Sequence, residues 1–135
     1  RLKKEGHEVT VVTPAPGSRR KKMIDTLDGI TIYRFKSGRI KNINKVERAI
    51  NETLLSLGAW HALKEEFEKE PHDLIVYYSP TIFWGPLVER LKRLWHAPSY
   101  LILRDIFPQW AVDQGLIRKG SLIEKYFRYF EKRNY

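Results

Sequence analysis

Apolar residues follow two different rhythms along this chain, and the switches between them mark out its elements. Glu8-Val9-Thr10-Val11-Val12-Thr13 is β-branched and almost wholly apolar, the pattern of a strand buried on both faces. Before it, Leu2-Lys3-Lys4-Glu5-Gly6 reads as the last turn of a helix, with Gly6 as its stop. Pro14-Ala15-Pro16-Gly17-Ser18 breaks the strand into a loop that carries the basic run Arg19-Arg20-Lys21-Lys22. In Ile30-Thr31-Ile32-Tyr33-Arg34-Phe35 apolar and polar residues alternate, which predicts a second strand.

The rhythm then turns helical. Ile43, Val46, Ile50, Leu54, Leu57, Trp60, Leu63 and Phe67 recur at spacings of three and four, an apolar stripe expected to face a core. Gly58 is where such a helix would kink or divide. Pro71 closes it, and Asp73-Leu74-Ile75-Val76-Tyr77-Tyr78 forms a third strand. After Ser79-Pro80, a helix carries Trp84, Leu87, Val88, Leu91 and Trp95 on one side and stops at Ala97-Pro98. Ser99 to Arg104 is a fourth strand, ending at Asp105, and Ser121 to Tyr135 is a last helix.

Strands alternating with helices in this order predict an α/β fold, a Rossmann-like open, mostly parallel sheet with flanking helices in a single domain over residues 1–135. A chain that opens in the last turn of a helix and stops on a helix without a tail is expected to have neighbours. They would be a first strand with its glycine loop before Arg1, and further sequence after Tyr135.

Composition narrows the class. With 135 residues, 42% of them apolar, there is material for one modest core. The absence of cysteine removes disulfides and thiol nucleophiles together. No apolar run approaches the ~18 residues of a membrane-spanning helix, and the start does not read as a signal peptide, so a cytoplasmic-type protein is expected. The net charge of +9 is uneven: residues 18–48 hold ten basic and three acidic side chains, and residues 118–135 hold six and two. Such a chain favours a polyanion, whether nucleic acid, anionic lipid or a phosphorylated substrate.

Ligands of open α/β sheets bind beyond the carboxyl ends of the strands. That rule selects Thr13-Pro14, Tyr78-Ser79-Pro80-Thr81 and Arg104-Asp105 as ends expected to share one rim. Asp105 follows a hydrophobic strand and precedes Ile106-Phe107-Pro108-Gln109-Trp110. There it would accept a hydroxyl proton, orient a sugar, cap the next helix or pair with Arg104. His7, His61, His72 and His96 lack ligand spacing, so no metal site is expected. Neither a nucleophile elbow nor a glycine-rich phosphate loop is present. The last helix sets an apolar face of Leu122, Ile123, Tyr126, Phe127 and Phe130 against Lys125, Arg128, Lys132 and Arg133. That face suits packing on the sheet, and the basic rim suits an anionic membrane surface.

Two segments carry a resemblance. Leu2-x-x-x-Gly6-His7-Glu8-Val9-Thr10-Val11-Val12-Thr13-Pro14 looks like the second strand of GT-B glycosyltransferases and the turn before it. Tyr78-Ser79-Pro80-Thr81 and Leu103-Arg104-Asp105-Ile106-Phe107-Pro108-Gln109-Trp110-Ala111-Val112 resemble family 4 of these, in the fucosaminyl transferase-like group of bacterial O-antigen and capsule assembly. The likeness covers nearly the whole chain, as the N-terminal, acceptor-side half of a GT-B fold.

The resemblance implies a retaining enzyme that moves a sugar from a nucleotide-sugar donor to a polyprenyl-diphosphate-linked glycan at the cytoplasmic face of the membrane. It implies a peripheral, basic protein with no bound metal or other cofactor. The nucleotide would be held mainly by a C-terminal domain that these residues do not include, so the chain alone is expected to be inactive. By analogy Asp105 lies at the reacting cleft as the catalytic candidate. Arg104, Thr13, Tyr78, Ser79, Thr81 and Gln109 line the substrate side, although Gln109 stands where several relatives have Glu. Two other classes fit the composition: a non-catalytic membrane-surface module, and a basic nucleic-acid-binding domain that lacks any recognition motif.

Overall fold

The computed structural model describes residues 1–79, 81–104 and 106–135. They form a mixed α/β protein whose strands lie in two small sheets, and the chain divides into two compact units, Arg1–Phe67 and Glu68–Tyr135.

In the first unit, a 3-10 turn at Leu2–Glu5 is ended by Gly6 at φ 91°, the left-handed stop expected of it. Strand β1 (Thr10–Pro16) pairs in parallel with β3 (Ile30–Ser37), and β2 (Lys22–Leu27) pairs antiparallel with β3, giving the order β1-β3-β2. β2 corrects the sequence reading, which left Lys22 in a loop and everything up to Ile30 without a strand. Its cause is the turn Asp28-Gly29, with φ of 51° and 75°, the geometry of a two-residue hairpin whose twist matches its strands. β1 also runs on to Pro16, so Thr13 lies in mid-strand opposite Arg34 and not at the strand's end.

The long helical stripe is two helices, α1 (Lys45–Thr53) and α2 (Leu55–Lys69). The break falls at Leu54, not at Gly58. Thr53 Oγ1 donates to the Ala49 carbonyl at 2.6 Å, a back-bond of the kind that bends helices. Only the second helix enters the core. Leu55, Ala59, Leu63 and Phe67 are buried with Tyr33 and Phe35, Gly58 lies beside the Phe35 ring, and Lys22 Nζ pairs with Glu66. α1 buries none of its residues, so the expectation that the whole stripe faces a core holds only from Leu55 onward.

In the second unit β4 (Ile75–Ser79) and β5 (Ser99–Leu103) form a parallel pair, joined through a 3-10 turn at Ile82–Trp84 and helix α3 (Gly85–Trp95). A short helix α4 (Gln109–Asp113) precedes α5 (Leu122–Asn134). α5 is capped at both levels of its first turn: Ser121 Oγ accepts from Glu124 N at 3.2 Å, and Glu124 Oε2 accepts from Gly120 N at 2.6 Å. Its inner face is aromatic. Phe130 meets Phe83 edge-on at 4.8 Å between ring centroids, and Phe127 meets Phe107 at 4.8 Å. The C-terminal turn of α5 abuts the first residue of α3. A Cβ built on Gly85 would fall 2.9 Å from Asn134 N, so only glycine leaves room for this approach.

Candidate functional site

The parallel pair β4–β5 brings two of the three strand ends selected from the sequence onto one edge of the second unit. Tyr78 lies opposite Ile102 and Ser79 opposite Leu103, with Arg104 the next residue of that chain. Arg104 Nη1 donates to the Tyr78 hydroxyl at 2.7 Å, and its guanidinium carbon lies 5.9 Å from the centroid of the same ring. Both side chains are exposed. A hydrogen bond and a cation–π contact together hold a planar, permanently charged fork at the carboxyl end of the strands. Such a fork suits an oxyanion of the phosphate or carboxylate kind.

The other candidates sit differently. Ser79 is buried at 2% exposure, so its hydroxyl belongs to the interior and not to the surface of the rim. Thr81 Oγ1 accepts from Phe83 N at 3.4 Å and caps the 3-10 turn that leads into α3. Gln109 donates through Nε2 to Asp113 at 2.7 Å and accepts from Arg128 Nη2 through Oε1, so both ends of its amide are engaged within the unit. Thr13 is half-buried in β1 of the first unit. Asp105 and Pro80 lie outside the described residues, and with Asp105 the expected catalytic position.

Of the four basic residues assigned to a membrane surface, Lys125 and Lys132 are exposed. Arg128 pairs with Glu131 at 3.0 Å and Glu124 at 3.4 Å, and Arg133 pairs with Glu89 and donates to the Tyr129 hydroxyl at 3.1 Å. These partners raise the pKa of both guanidiniums, through Glu131 foremost for Arg128 and Glu89 foremost for Arg133. Both arginines therefore act as ties between α5 and its surroundings.

No family model, curated protein or solved structure matches the chain. The chemistry is read from its own residues. Among the described residues no group of three or more His, Asp or Glu is placed to hold a metal ion, and no helix is long and apolar enough to cross a membrane.

The sequence reading passed over one feature of the site, the Tyr78–Arg104 contact. The positions were named, but their pairing depends on a parallel register that fixes residues 26 apart side by side. It also passed over Tyr77, whose hydroxyl donates to the Asn134 carbonyl and closes the C-terminal end of α5. Burial, with a smaller contribution from Tyr135, pushes the Tyr77 pKa above the ordinary 10.0.

Proposed function

We propose that the chain is the acceptor-side domain of a retaining glycosyltransferase, which holds a lipid-linked saccharide while a nucleotide-sugar donor is presented by a further domain. In this reading the fold is Rossmann-like, the N-terminal half of a GT-B fold, working at the cytoplasmic face of the membrane. The observation that carries it is the Arg104–Tyr78 pair at the carboxyl end of β4 and β5, in the segment whose sequence resembles family 4. An acceptor of this class carries a diphosphate between its lipid chain and its sugar. A guanidinium steadied by a tyrosine hydroxyl recognises phosphate oxygens through charge-assisted hydrogen bonds, and the Tyr78 ring offers a face for a sugar. Asp105, next to Arg104, remains the candidate for the reacting carboxylate.

The test is equilibrium binding of a short-chain, water-soluble prenyl-diphosphate saccharide to the chain in the absence of lipid. Arg104→Ala is expected to weaken binding about tenfold or more, in line with ~1.5–3 kcal/mol for a hydrogen bond to a charged group. Unchanged affinity in Arg104→Ala would remove the site from the reading. No turnover is expected from the 135-residue chain supplied with nucleotide sugar and acceptor. Measurable transfer by it would overturn the division of labour between domains.

A further inference from the structure

Helix α1 contributes nothing to the core of its unit, yet it is built with an apolar face. Val46 is 71% exposed and Ile50 55%, and the row continues through Leu54 at 50% and Leu57 at 44% into the first turn of α2. The spacing of four puts Val46 and Ile50 on one side of α1, and Leu54 and Leu57 carry the exposed row across the break into α2. Asn44 caps its start by accepting from Glu47 N at 2.8 Å, so this is a formed helix with an uncovered stripe.

On the flank that carries Glu47 and Asn51, a basic loop lies against the helix. Asn51 stands about 100° round the helix from Ile50. It donates to the Arg39 carbonyl at 2.8 Å, which ties the loop carrying Arg39 and Lys41 along α1. At the same carboxyl ends of β1 and β3 lies the turn that carries Arg19, Arg20 and Lys21. It is held by Gly17 N on the Ser37 carbonyl at 3.3 Å and Lys36 N on the Lys21 carbonyl at 2.9 Å. Those five cations are exposed, and among the described residues no ion pair engages any of them. Residues 15–24 and 36–46 contain no acidic side chain at all. The acidic Asp25 and Asp28 lie along or beyond β2, toward the opposite end of the hairpin.

We propose that this face of the first unit seats the protein on an anionic lipid bilayer. Val46, Ile50, Leu54 and Leu57 enter the boundary between headgroups and acyl chains, and Arg39, Lys41 and the 19–21 turn contact headgroup phosphates. An aliphatic row beside unpaired cations is the pairing that a membrane interface rewards. A single-stranded nucleic acid would want rings on which to stack its bases, and the row has none. A second copy of the chain would bring another strongly cationic segment against this one, with net +7 over residues 18–48 in each.

The inference deepens the glycosyltransferase reading by naming where the protein meets its membrane, but it stands on different residues. Co-flotation of the full chain with vesicles tests it, comparing phosphatidylcholine alone with phosphatidylcholine containing phosphatidylglycerol. Binding to the anionic vesicles only is expected. Val46→Ser with Ile50→Ser should weaken it about tenfold or more, and Arg39→Gln with Lys41→Gln by a similar factor, with a shallower salt dependence. Both pairs are surface changes, so circular dichroism should be unchanged. Lys125→Gln with Lys132→Gln on α5 should leave flotation as it was.

Flotation that survives both α1-side variants, or that is lost with the α5 variant, would overturn the proposal. So would a monomer–dimer change abolished by Val46→Ser and Ile50→Ser, or RNA retention abolished by the same pair. Binding of the water-soluble prenyl-diphosphate saccharide, measured without lipid, reports on Arg104 independently of all these outcomes.

Discussion

Two glycines inside helices should respond to alanine with opposite signs, and the difference follows from what a methyl group would meet. Gly85 opens α3 with φ −46° and ψ −50°, ordinary helical values, so its backbone does not require glycine. Its surroundings do. A Cβ there would lie 2.6 Å from the Arg133 carbonyl carbon and 2.9 Å from Asn134 N, both backbone atoms of α5 that no rotamer change can withdraw. Relief means moving the end of α5 by about 1 Å, against overpacking costs of ~1–3 kcal/mol. The shift also strains the Tyr77–Asn134 hydrogen bond, worth about 1 kcal/mol. Gly85→Ala should therefore destabilise the second unit by about 2–3 kcal/mol, a large share of a domain's ~5–15 kcal/mol. Gly58 stands inside α2, and its Cβ would sit 3.7 Å from the Phe35 ring and the Lys36 carbonyl, ordinary contact distances. Gly58→Ala should stabilise by up to about 1 kcal/mol through helix propensity. Urea unfolding followed by far-UV circular dichroism and by tryptophan fluorescence measures both, since Trp84, Trp95 and Trp110 report the second unit and Trp60 the first. The Gly85→Ala midpoint should fall by about 1–2 M at constant slope. A Gly85→Ala protein as stable as the parent would refute the close approach of α5 to α3.

Other consequences are sharper at particular conditions or caps. Because the Tyr77 pKa is raised on folding, by burial first and Tyr135 second, its contribution is complete below about pH 10 and is lost as pH climbs through the raised value. The urea midpoint should fall above about pH 10, and Tyr77→Phe should make that fall shallower. Identical alkaline limbs in the two proteins would exclude Tyr77 as its source. Ser121→Ala removes the acceptor for Glu124 N and should cost about 1 kcal/mol in the same unfolding assay. No change there would mean that the Gly120–Glu124 contact suffices alone.

Much of the element order was legible because period is a local property. β1, β3, β4 and β5 declared themselves by β-branched runs, and α3 and α5 by stripes at helical spacing. β2 did not, because its residues are only half-covered and Ile24 and Leu27 stand exposed, so no clean alternation marks it. The signal that locates it is the Asp28-Gly29 pair, a hairpin dipeptide between two strand-compatible runs. Period also records that a helix has an apolar side without recording what covers that side. The stripe from Val46 to Phe67 reads as continuous, yet its first half is open to water and its second half is core. The site suffered in the same way: rim positions could be chosen by rule, but Ser79 turned inward and Gln109 closed on Arg128, both decided by packing between distant residues.

Charge shows most plainly why counting residues differs from reading a surface. The terminal segment invites a membrane assignment because six basic residues share it with exposed aromatics. Two of those six, Arg128 and Arg133, are held by Glu124, Glu131 and Glu89. A paired guanidinium offers an anionic surface little, since its approach must first break a contact already made or leave the carboxylate to repel the headgroups. The basic run near the start looks weaker as a pattern, being short and interrupted by a strand. Its cations nevertheless stand beyond the ends of β1 and β3 with no acid in either contributing segment, and an uncovered aliphatic row runs alongside. Attraction to a polyanion depends on the unpaired excess and on what lies beside it. By that measure the first unit gathers more free positive charge, five exposed cations around the carboxyl ends of β1 and β3, than α5, where Lys125 and Lys132 stand exposed beside Leu122 and Ile123.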